Sequence, residues 1–332
     1  MIEGRRKVLV TGAGGFIGRY LVRDQLDRGY SVTATDVDLS GLEAMKLDGP
    51  LRCQPADIRS TGDMRPLLEG CDRVFHLAAA HLDVLKEEAY FHEVNVRAAE
   101  SFARIAAEEG VGRFVHCSTV GVYGALKSLP ADEETRPAPD IAYEETKLAG
   151  EQAVREALFP TPTSSVILRP AWVYGPYCPR TLKLIRTIAR RRFIFVGDGR
   201  NLRHPVYISD MLEAFELAAT RELPSGEVII IAGPEAVSIR RLVELIITEL
   251  GMDYAPLRLP AWFMEATCLA VEKSAAIVGR EPPFSRRSLK FFSDSSEFAI
   301  SKALRMLEFE PQIDTHKGLQ LTIRHYRERG LL

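Results

Sequence analysis

The chain has 332 residues, of which 46% are hydrophobic and 27% charged, so it can bury a large core and has an ordinary globular composition. Its 43 basic and 45 acidic residues give a net charge of −2, which argues against nucleic-acid binding. Five scattered cysteines without a CxxC pair predict no metal site and are typical of a reducing cytoplasm. We expect no membrane span, because no apolar run is long enough.

A short apolar strand at the start of the chain leads into a glycine-rich turn and then into a helical pattern. Gly12 permits the tight turn, Gly15 lets backbone N–H groups approach a pyrophosphate, and Gly18 lets the helix pack close to the strand. The helix begins at Phe16 and Ile17, where free N–H groups and the positive dipole end would face the phosphates. Strand, turn and helix together predict a dinucleotide site.

Residues after the next three predicted strands extend this site. Asp36 ends the second strand; its carboxylate can accept hydrogen bonds from the adenosine ribose and would repel a 2′-phosphate, which favours NAD over NADP. Asp57, followed by Ile58, could reach the adenine amino group or cap the next helix. The fourth strand contains His76, which we interpret as a core histidine. Beyond it, small or apolar residues leave room for the cofactor, at Leu77, Ala78 and Ala79.

The first half of the chain alternates strands with helices. Strands are predicted at 8–10, 31–35, 51–54, 73–77, 114–117 and 165–168, and long helices at 90–109 and 141–158. This alternation is typical of an α/β fold with a Rossmann-type, doubly wound parallel sheet.

Prolines and glycines interrupt this rhythm beyond residue 170. We expect residues 1–170 to form an NAD-binding domain, to which elements near 200–232 return. Residues 171–332 would form a smaller, mostly helical and discontinuous substrate-binding lobe. Its apolar-rich segment at 261–278 is predicted to be a helix.

Candidate catalytic residues lie around the fifth strand and the helix that follows. Tyr143 and Lys147 are four residues apart in a helical stretch and so share one face. A lysine ammonium nearby favours the phenolate, and such a phenol can exchange a proton with an alcohol or ketone. Thr119 follows the fifth strand and could hold the substrate oxygen, with Ser118 as the alternative. Asn95 could support Lys147 directly or through a water.

Six sequence blocks occur in the order TGAGGFIG, HLAA, NVRAA, STVGVYG, YEETK and LRPAWVYGP. Together they resemble the extended short-chain dehydrogenase/reductase superfamily, which contains the NAD-dependent epimerases and dehydratases. The resemblance implies a catalytic set of Thr119, Tyr143 and Lys147, with NAD in the first lobe and substrate in the second. It also implies cofactor contacts at Pro170 and Val173, and a homodimer through helices 90–109 and 141–158.

The substrate class is indicated by the same blocks. LRPAWVYGP and GDGRNLRHPVYISD resemble the branch of 3β-hydroxysteroid dehydrogenases and dihydroflavonol reductases. Nucleotide-sugar enzymes typically carry Asn where this chain has Trp172, and an indole is a poor substitute for an amide. Arg203 matches a phosphate-binding arginine of those enzymes. Ser118, Trp172 and Arg203 are the candidate substrate contacts.

We therefore expect a cytoplasmic NAD-dependent oxidoreductase that interconverts a secondary alcohol and a ketone on a fairly apolar small molecule. A nucleotide-sugar epimerase, or less favourably a dehydratase, is the first alternative. A non-catalytic NAD-sensing protein is the second alternative, although a protein that only binds NAD would not need a phenol whose ionisation is favoured by a nearby lysine.

Overall fold

The computed structural model of the chain describes residues 6–81, 87–260, 262–264, 267–268 and 294–332. The strands are β1 (Lys7–Thr11), β2 (Ser31–Thr35), β3 (Leu51–Cys53), β4 (Arg73–His76), β5 (Arg113–Cys117), β6 (Ser164–Pro170), β7 (Trp172–Tyr174), β8 (Ile194–Val196), β9 (Leu202–Arg203), β10 (Pro205–Tyr207), β11 (Glu227–Ile231), β12 (Val237–Ser238) and β13 (Leu257–Leu259). The helices are α1 (Phe16–Asp27), α2 (Ser40–Glu43), α3 (Thr61–Met64), α4 (Glu88–His92), α5 (Ala99–Glu108), α6 (Ala142–Leu158), α7 (Pro179–Ala189), α8 (Ile208–Thr220), α9 (Ile239–Leu250), α10 (Ser301–Leu307) and α11 (Thr315–Glu328).

Seven parallel strands form the central sheet in the order β11-β6-β5-β4-β1-β2-β3. The direction of winding reverses between β1 and β4, and in such sheets ligands bind in the crevice at the carboxyl ends of the strands at this point. The predicted doubly wound sheet is thus confirmed. β11 pairs with β6, so the chain returns to this sheet after leaving it at residue 170.

Both faces of the sheet are covered, as the continuous apolar strands require. Successive β1 residues point to opposite faces. Val8 and Val10 belong to the core cluster that includes Leu21 of α1, whereas Leu9 packs in the second cluster with Phe102 of α5. Burial on both sides fixes the register of the central strands, and this positions their carboxyl ends at the crevice.

Two local features differ from the predictions. The predicted helix at 90–109 is α4, a π-helical segment (Glu93–Ala98) and α5 in succession. β7 is a short strand that the prolines and glycines of this region concealed, and it pairs with β10. Helix α8 begins after Tyr207. Asp210 is buried and accepts the Ile313 N–H at 3.0 Å, so it ties α8 to the segment before α11.

The predicted helix at 261–278 lies mostly outside the described residues. Of its apolar side chains, Trp262 is 69% exposed and Phe263 is 45% exposed, and neither lines the cleft described below. Among the residues that the structure describes, no helix is long and apolar enough to cross a membrane.

His76 and His116 lie side by side on β4 and β5, with ring centroids 5.1 Å apart. Both are 1% exposed, and His76 Nδ1 lies 2.8 Å from the Thr11 hydroxyl. Burial lowers the pKa of His76 to about 3 and holds the pKa of His116 well below its ordinary value. Both rings are therefore neutral core residues, as interpreted for His76.

These buried histidines make the fold sensitive to acid. Unfolded histidines protonate near pH 6.5, so between about pH 6.5 and 5 the unfolded state binds protons that the folded state does not. The free energy of unfolding therefore decreases as the pH is lowered, by up to about 1.4 kcal/mol per pH unit for each histidine. We expect His116→Leu to reduce this slope by one histidine's share in urea unfolding. The exposed His92→Leu is the control, and an unchanged slope in His116→Leu contradicts the prediction.

Candidate active site

A cleft of about 560 Å³ opens where β1 and β4 end, at the point predicted by the topology. Nearly all of the residues predicted for cofactor, substrate and catalysis line it, although they come from seven separate parts of the chain. They are Gly12, Gly15, Phe16, Ile17, Gly18, Asp36, Asp57, Ile58, Leu77, Ala78, Ala79, Ser118, Thr119, Tyr143, Lys147, Pro170, Trp172 and Val173.

The glycine turn has the geometry of a phosphate cradle. Gly12 has a φ of +69°, and an added Cβ there would lie 2.7 Å from the backbone of Ala78. Gly15 is exposed to the cleft and caps α1 without a side-chain hydrogen bond. A Cβ on Gly18 would lie 2.0 Å from the Gly12 carbonyl oxygen, so only glycine lets α1 begin this close to β1. A Cβ on Gly14, absent from the predicted set, would lie 1.9 Å from Asp38 O.

Gly18→Ala tests this packing. The added methyl must push α1 away from the turn, and overpacking of this kind costs about 1–3 kcal/mol. We expect the Kd for NAD to rise at least about tenfold, measured by calorimetry. Gly62→Ala is the matched control, because a Cβ on Gly62 meets nothing within 4 Å. An unchanged Kd in Gly18→Ala would show that α1 need not lie against the turn.

Acidic side chains stand at the β2 and β3 end of the cleft. Asp36 accepts hydrogen bonds from the Gly14 N–H at 3.0 Å and the Val37 N–H at 2.7 Å, which fix the carboxylate beside the turn. Asp57 pairs with Arg59 at 2.6 Å, and this hydrogen bond lowers the pKa of the Asp57 carboxyl. Both residues line the cleft, and their contacts to an adenosine stay a prediction.

The backbone segment after β4, which lines the cleft, is fixed by hydrogen bonds from side chains of neighbouring elements. The Thr11 hydroxyl oxygen accepts the N–H groups of Leu77 and Ala78, each at 3.2 Å. Asn95 is 2% exposed and accepts the Ala80 N–H at 2.8 Å; its amide donates to the Ala80 carbonyl and to the Thr146 hydroxyl.

Asn95 therefore departs from its predicted role. It does not line the cleft, and its amide is used by Ala80 and Thr146 rather than by Lys147. The physical reason is that the backbone after β4 needs partners for both its N–H and C=O groups, and the π-helical segment brings the amide to them. Asn95 shapes the cofactor wall through Ala80.

Tyr143 and Lys147 share one face of α6, as their spacing predicts. Tyr143 is half-buried at the cleft, whereas Lys147 is 2% exposed. The Lys147 ammonium donates to the Cys117 carbonyl at 2.7 Å, which fixes it beneath the end of β5. Burial lowers the pKa of Lys147, while Glu151, one turn further along α6, acts in the opposite direction.

Thr119 and Ser118 use their hydroxyl groups differently. The Thr119 oxygen accepts the Gly121 N–H at 3.0 Å, which orients the hydroxyl and leaves its proton available to donate. The Ser118 hydroxyl donates to Glu151, which is itself held by Arg169 at 2.6 Å. The proton of Ser118 is thus committed inside the protein, and Thr119 is the better donor to a substrate oxygen.

Arg203 also lies apart from the cleft. Its side chain is buried, and Nη1 donates to the Ser296 hydroxyl at 3.0 Å. Burial lowers the pKa of its guanidinium to about 10. Because Arg203 does not line the cleft in the described part of the chain, the structure does not bring it to a phosphate there.

His81 and Arg180 are among the cleft residues that the sequence did not predict. His81 ends the described segment after β4, and its ring stacks on Tyr143 with centroids 4.9 Å apart. Arg180 in the first turn of α7 lies against His81. Neither belongs to a recognised spacing, and only the fold brings α7 to the loop after β4.

The cleft fits a dinucleotide on its own chemistry. Glycines at positions that a Cβ would obstruct leave room for phosphates, and the first N–H groups of α1 have no partner within the helix. Asp36 stands at one end of the cleft and Tyr143 with Lys147 at the other, so an extended cofactor would meet an acceptor and a proton donor.

Comparisons with known proteins agree with this geometry. A model of the NAD dependent epimerase/dehydratase family matches residues 8–232. A 4-hydroxy-2-methyl-3-oxo-4-farnesyl-3,4-dihydroquinoline-1-oxide ketoreductase of Stigmatella aurantiaca is 32% identical over an alignment of 326 positions that covers 94% of each chain. A decarboxylating sterol-4-alpha-carboxylate 3-dehydrogenase of Candida albicans is 26% identical over an alignment of 347 positions that covers 97% of this chain and 98% of that one.

Among solved structures, DesIV of Streptomyces venezuelae, a dTDP-glucose 4,6-dehydratase with NAD and TYD bound, has a TM-score of 0.79 at 27% identity. The match covers 98% of both chains. The sterol relative agrees with the resemblance to 3β-hydroxysteroid dehydrogenases. The chain therefore belongs to the NAD dependent epimerase/dehydratase family of the extended short-chain dehydrogenase/reductases, as an NAD-dependent enzyme of oxidoreductase or epimerase type.

Proposed function

We propose that the protein interconverts a secondary alcohol and a ketone on a fairly apolar substrate, with net transfer of hydride. The observation that carries this proposal is the convergence of Thr119, Tyr143 and Lys147 on the cleft that fits the dinucleotide. NAD supplies the chemistry of a hydride acceptor or, when reduced, a hydride donor.

The three side chains would divide the remaining work. Thr119 donates a hydrogen bond from its hydroxyl group to the substrate oxygen and so orients the reacting carbon. Tyr143 takes the alcohol proton in oxidation and returns it in reduction. Lys147 would provide a fixed positive charge on the same face of α6 as the phenol, which favours the phenolate, and it would hold the nicotinamide ribose.

Apolar side chains near the reacting end support an apolar substrate. Trp172 and Val173 of β7 line the cleft, and Trp172 stands at the position where a nucleotide-sugar enzyme typically has a polar amide. The names of both curated relatives describe oxidation or reduction at one carbon of a large, mainly hydrocarbon molecule, a farnesylated quinoline oxide and a sterol. We extend that substrate class to this chain.

The test is the release of NADH. Purified protein is incubated with excess NAD and two substrate pools, one of hydroxysteroids and β-hydroxy acyl compounds, the other of UDP- and GDP-sugars. We expect free NADH with the first pool. Isomerisation of the sugar nucleotides without net formation of NADH would show that the protein is an epimerase instead. NAD binding without turnover of either pool would favour the sensing protein.

We also propose a cytoplasmic homodimer. The five cysteines are free thiols in the structure, as suits a reducing compartment. The dimer would form through α5 and α6, whose exposed residues are polar, with Arg97 on the preceding turn, Arg104 and Glu108 on α5, and Gln152 and Glu156 on α6. Such faces would associate through charge pairs, so sedimentation should show a dimer that weakens with salt.

A further inference from the structure

A row of three side chains extends from the catalytic phenol to a guanidinium. The His81 ring lies on the Tyr143 ring, with centroids 4.9 Å apart and planes inclined by 22°. Arg180 Nη2 lies 3.4 Å from His81 Nε2. All three residues line the cleft, so a positive charge stands one side chain away from the group that moves the proton.

The charge of Arg180 is available to a ligand. A guanidinium carries five N–H donors and stays protonated at any ordinary pH. Within the described residues Arg180 contacts His81 and forms no ion pair with a carboxylate. No acidic residue occupies the first turn of α7, so the positive end of the helix dipole adds to the same field. An anion entering here would meet N–H donors, and no carboxylate of the described residues pairs with Arg180.

The position of this charge selects the kind of anion. The pyrophosphate of a dinucleotide has its own donors at the glycine turn, whereas Arg180 is linked through His81 to the reacting end of the cleft. A planar guanidinium binds a carboxylate through two parallel hydrogen bonds. A carboxylate on a carbon close to the reacting one would occupy this place.

We propose that Arg180 and His81 form a carboxylate subsite, so that the substrate is an apolar hydroxy acid or the corresponding oxo acid. This rests on the proposed function and narrows its substrate class. The carboxylate anchors one side of the reacting carbon, Thr119 and Tyr143 hold its oxygen, and the hydrocarbon part lies along Trp172 and Val173. The anchor fixes which face of the carbon is presented to the nicotinamide.

The test measures binding without turnover. The Tyr143→Phe variant keeps the ring under His81 and is loaded with NAD. Calorimetry then compares 3-hydroxydodecanoate with its methyl ester, which has the same chain but no charge. Charge-assisted hydrogen bonds contribute about 1.5–3 kcal/mol, so we expect the acid to bind about 10- to 100-fold more tightly. Adding Arg180→Gln should remove the preference, and Arg180→Lys should restore part of it.

Arg190→Gln is the matched control, because it removes the same charge from the exposed residue after the other end of α7 and should leave the preference intact. Equal affinity for acid and ester, or no binding of either, overturns the proposal. A higher Kd for NAD in Arg180→Gln would assign the guanidinium to a cofactor phosphate instead. Weaker binding of UDP-glucose alone would assign it to a sugar diphosphate. The proposed function is decided separately, by NADH release from the wild-type protein.

Discussion

Tyr143→Phe should lower kcat by about 10²- to 10⁴-fold, the usual contribution of a positioned general acid or base. The substitution removes only the hydroxyl, so the ring still stacks on His81 and still closes the cleft. Since the phenol acts on the substrate oxygen rather than on the bulk of the cofactor, we expect the Kd for NAD to change by less than about threefold.

The measurement is steady-state turnover of the active pool together with calorimetric titration of NAD. Tyr90→Phe is the control, because Tyr90 also lines the cleft but belongs to α4, whereas Tyr143 and Lys147 belong to α6. Turnover near the wild-type rate in Tyr143→Phe, with full cofactor binding, would remove Tyr143 from the catalytic set.

Arg169→Met should cost about 3–5 kcal/mol of unfolding free energy, the largest stability effect that we expect. Arg169 and Glu151 are 6% and 3% exposed and are joined by two hydrogen bonds of 2.9 and 2.6 Å. Arg169 also donates to the Tyr123 hydroxyl at 2.8 Å, and Ser118 donates to Glu151. Removing the guanidinium leaves a buried carboxylate without its countercharge.

Urea unfolding measures this loss, and two further variants sharpen it. Arg104→Met breaks the exposed pair with Glu100, 2.7 Å apart on α5, and should cost less than about 1 kcal/mol. The double variant Arg169→Met with Glu151→Leu should recover much of the loss, because no charge is left buried. A cost for Arg169→Met as small as that for Arg104→Met would show that the pair is not effectively buried.

Local spacing made the cofactor half of the cleft predictable. The glycine turn, Asp36 and the small residues after β4 each lie within a few residues of a strand end, and the parallel order of the strands brings those ends together. The common face of Tyr143 and Lys147 was predictable too, because residues four apart lie about one turn apart on a helix.

The remaining features depend on contacts between distant segments, which spacing does not encode. Asn95 was expected to support Lys147 directly or through a water, but its amide bonds the backbone of Ala80 and the hydroxyl of Thr146. Arg203 matches a phosphate-binding arginine of nucleotide-sugar enzymes, yet its guanidinium donates a hydrogen bond to the Ser296 hydroxyl. Arg180 became a candidate only because α7 packs its first turn against the loop after β4.

The most direct test of net hydride transfer follows an isotope from substrate to cofactor. Wild-type protein and NAD are incubated with 3-hydroxydodecanoate deuterated at carbon 3 and, in parallel, with UDP-glucose deuterated at carbon 4, and the released cofactor is analysed by mass spectrometry. We predict deuterium in free reduced cofactor from the hydroxy acid and none from the sugar. Deuterium retained in an epimerised sugar, with unlabelled cofactor in both reactions, would contradict the account.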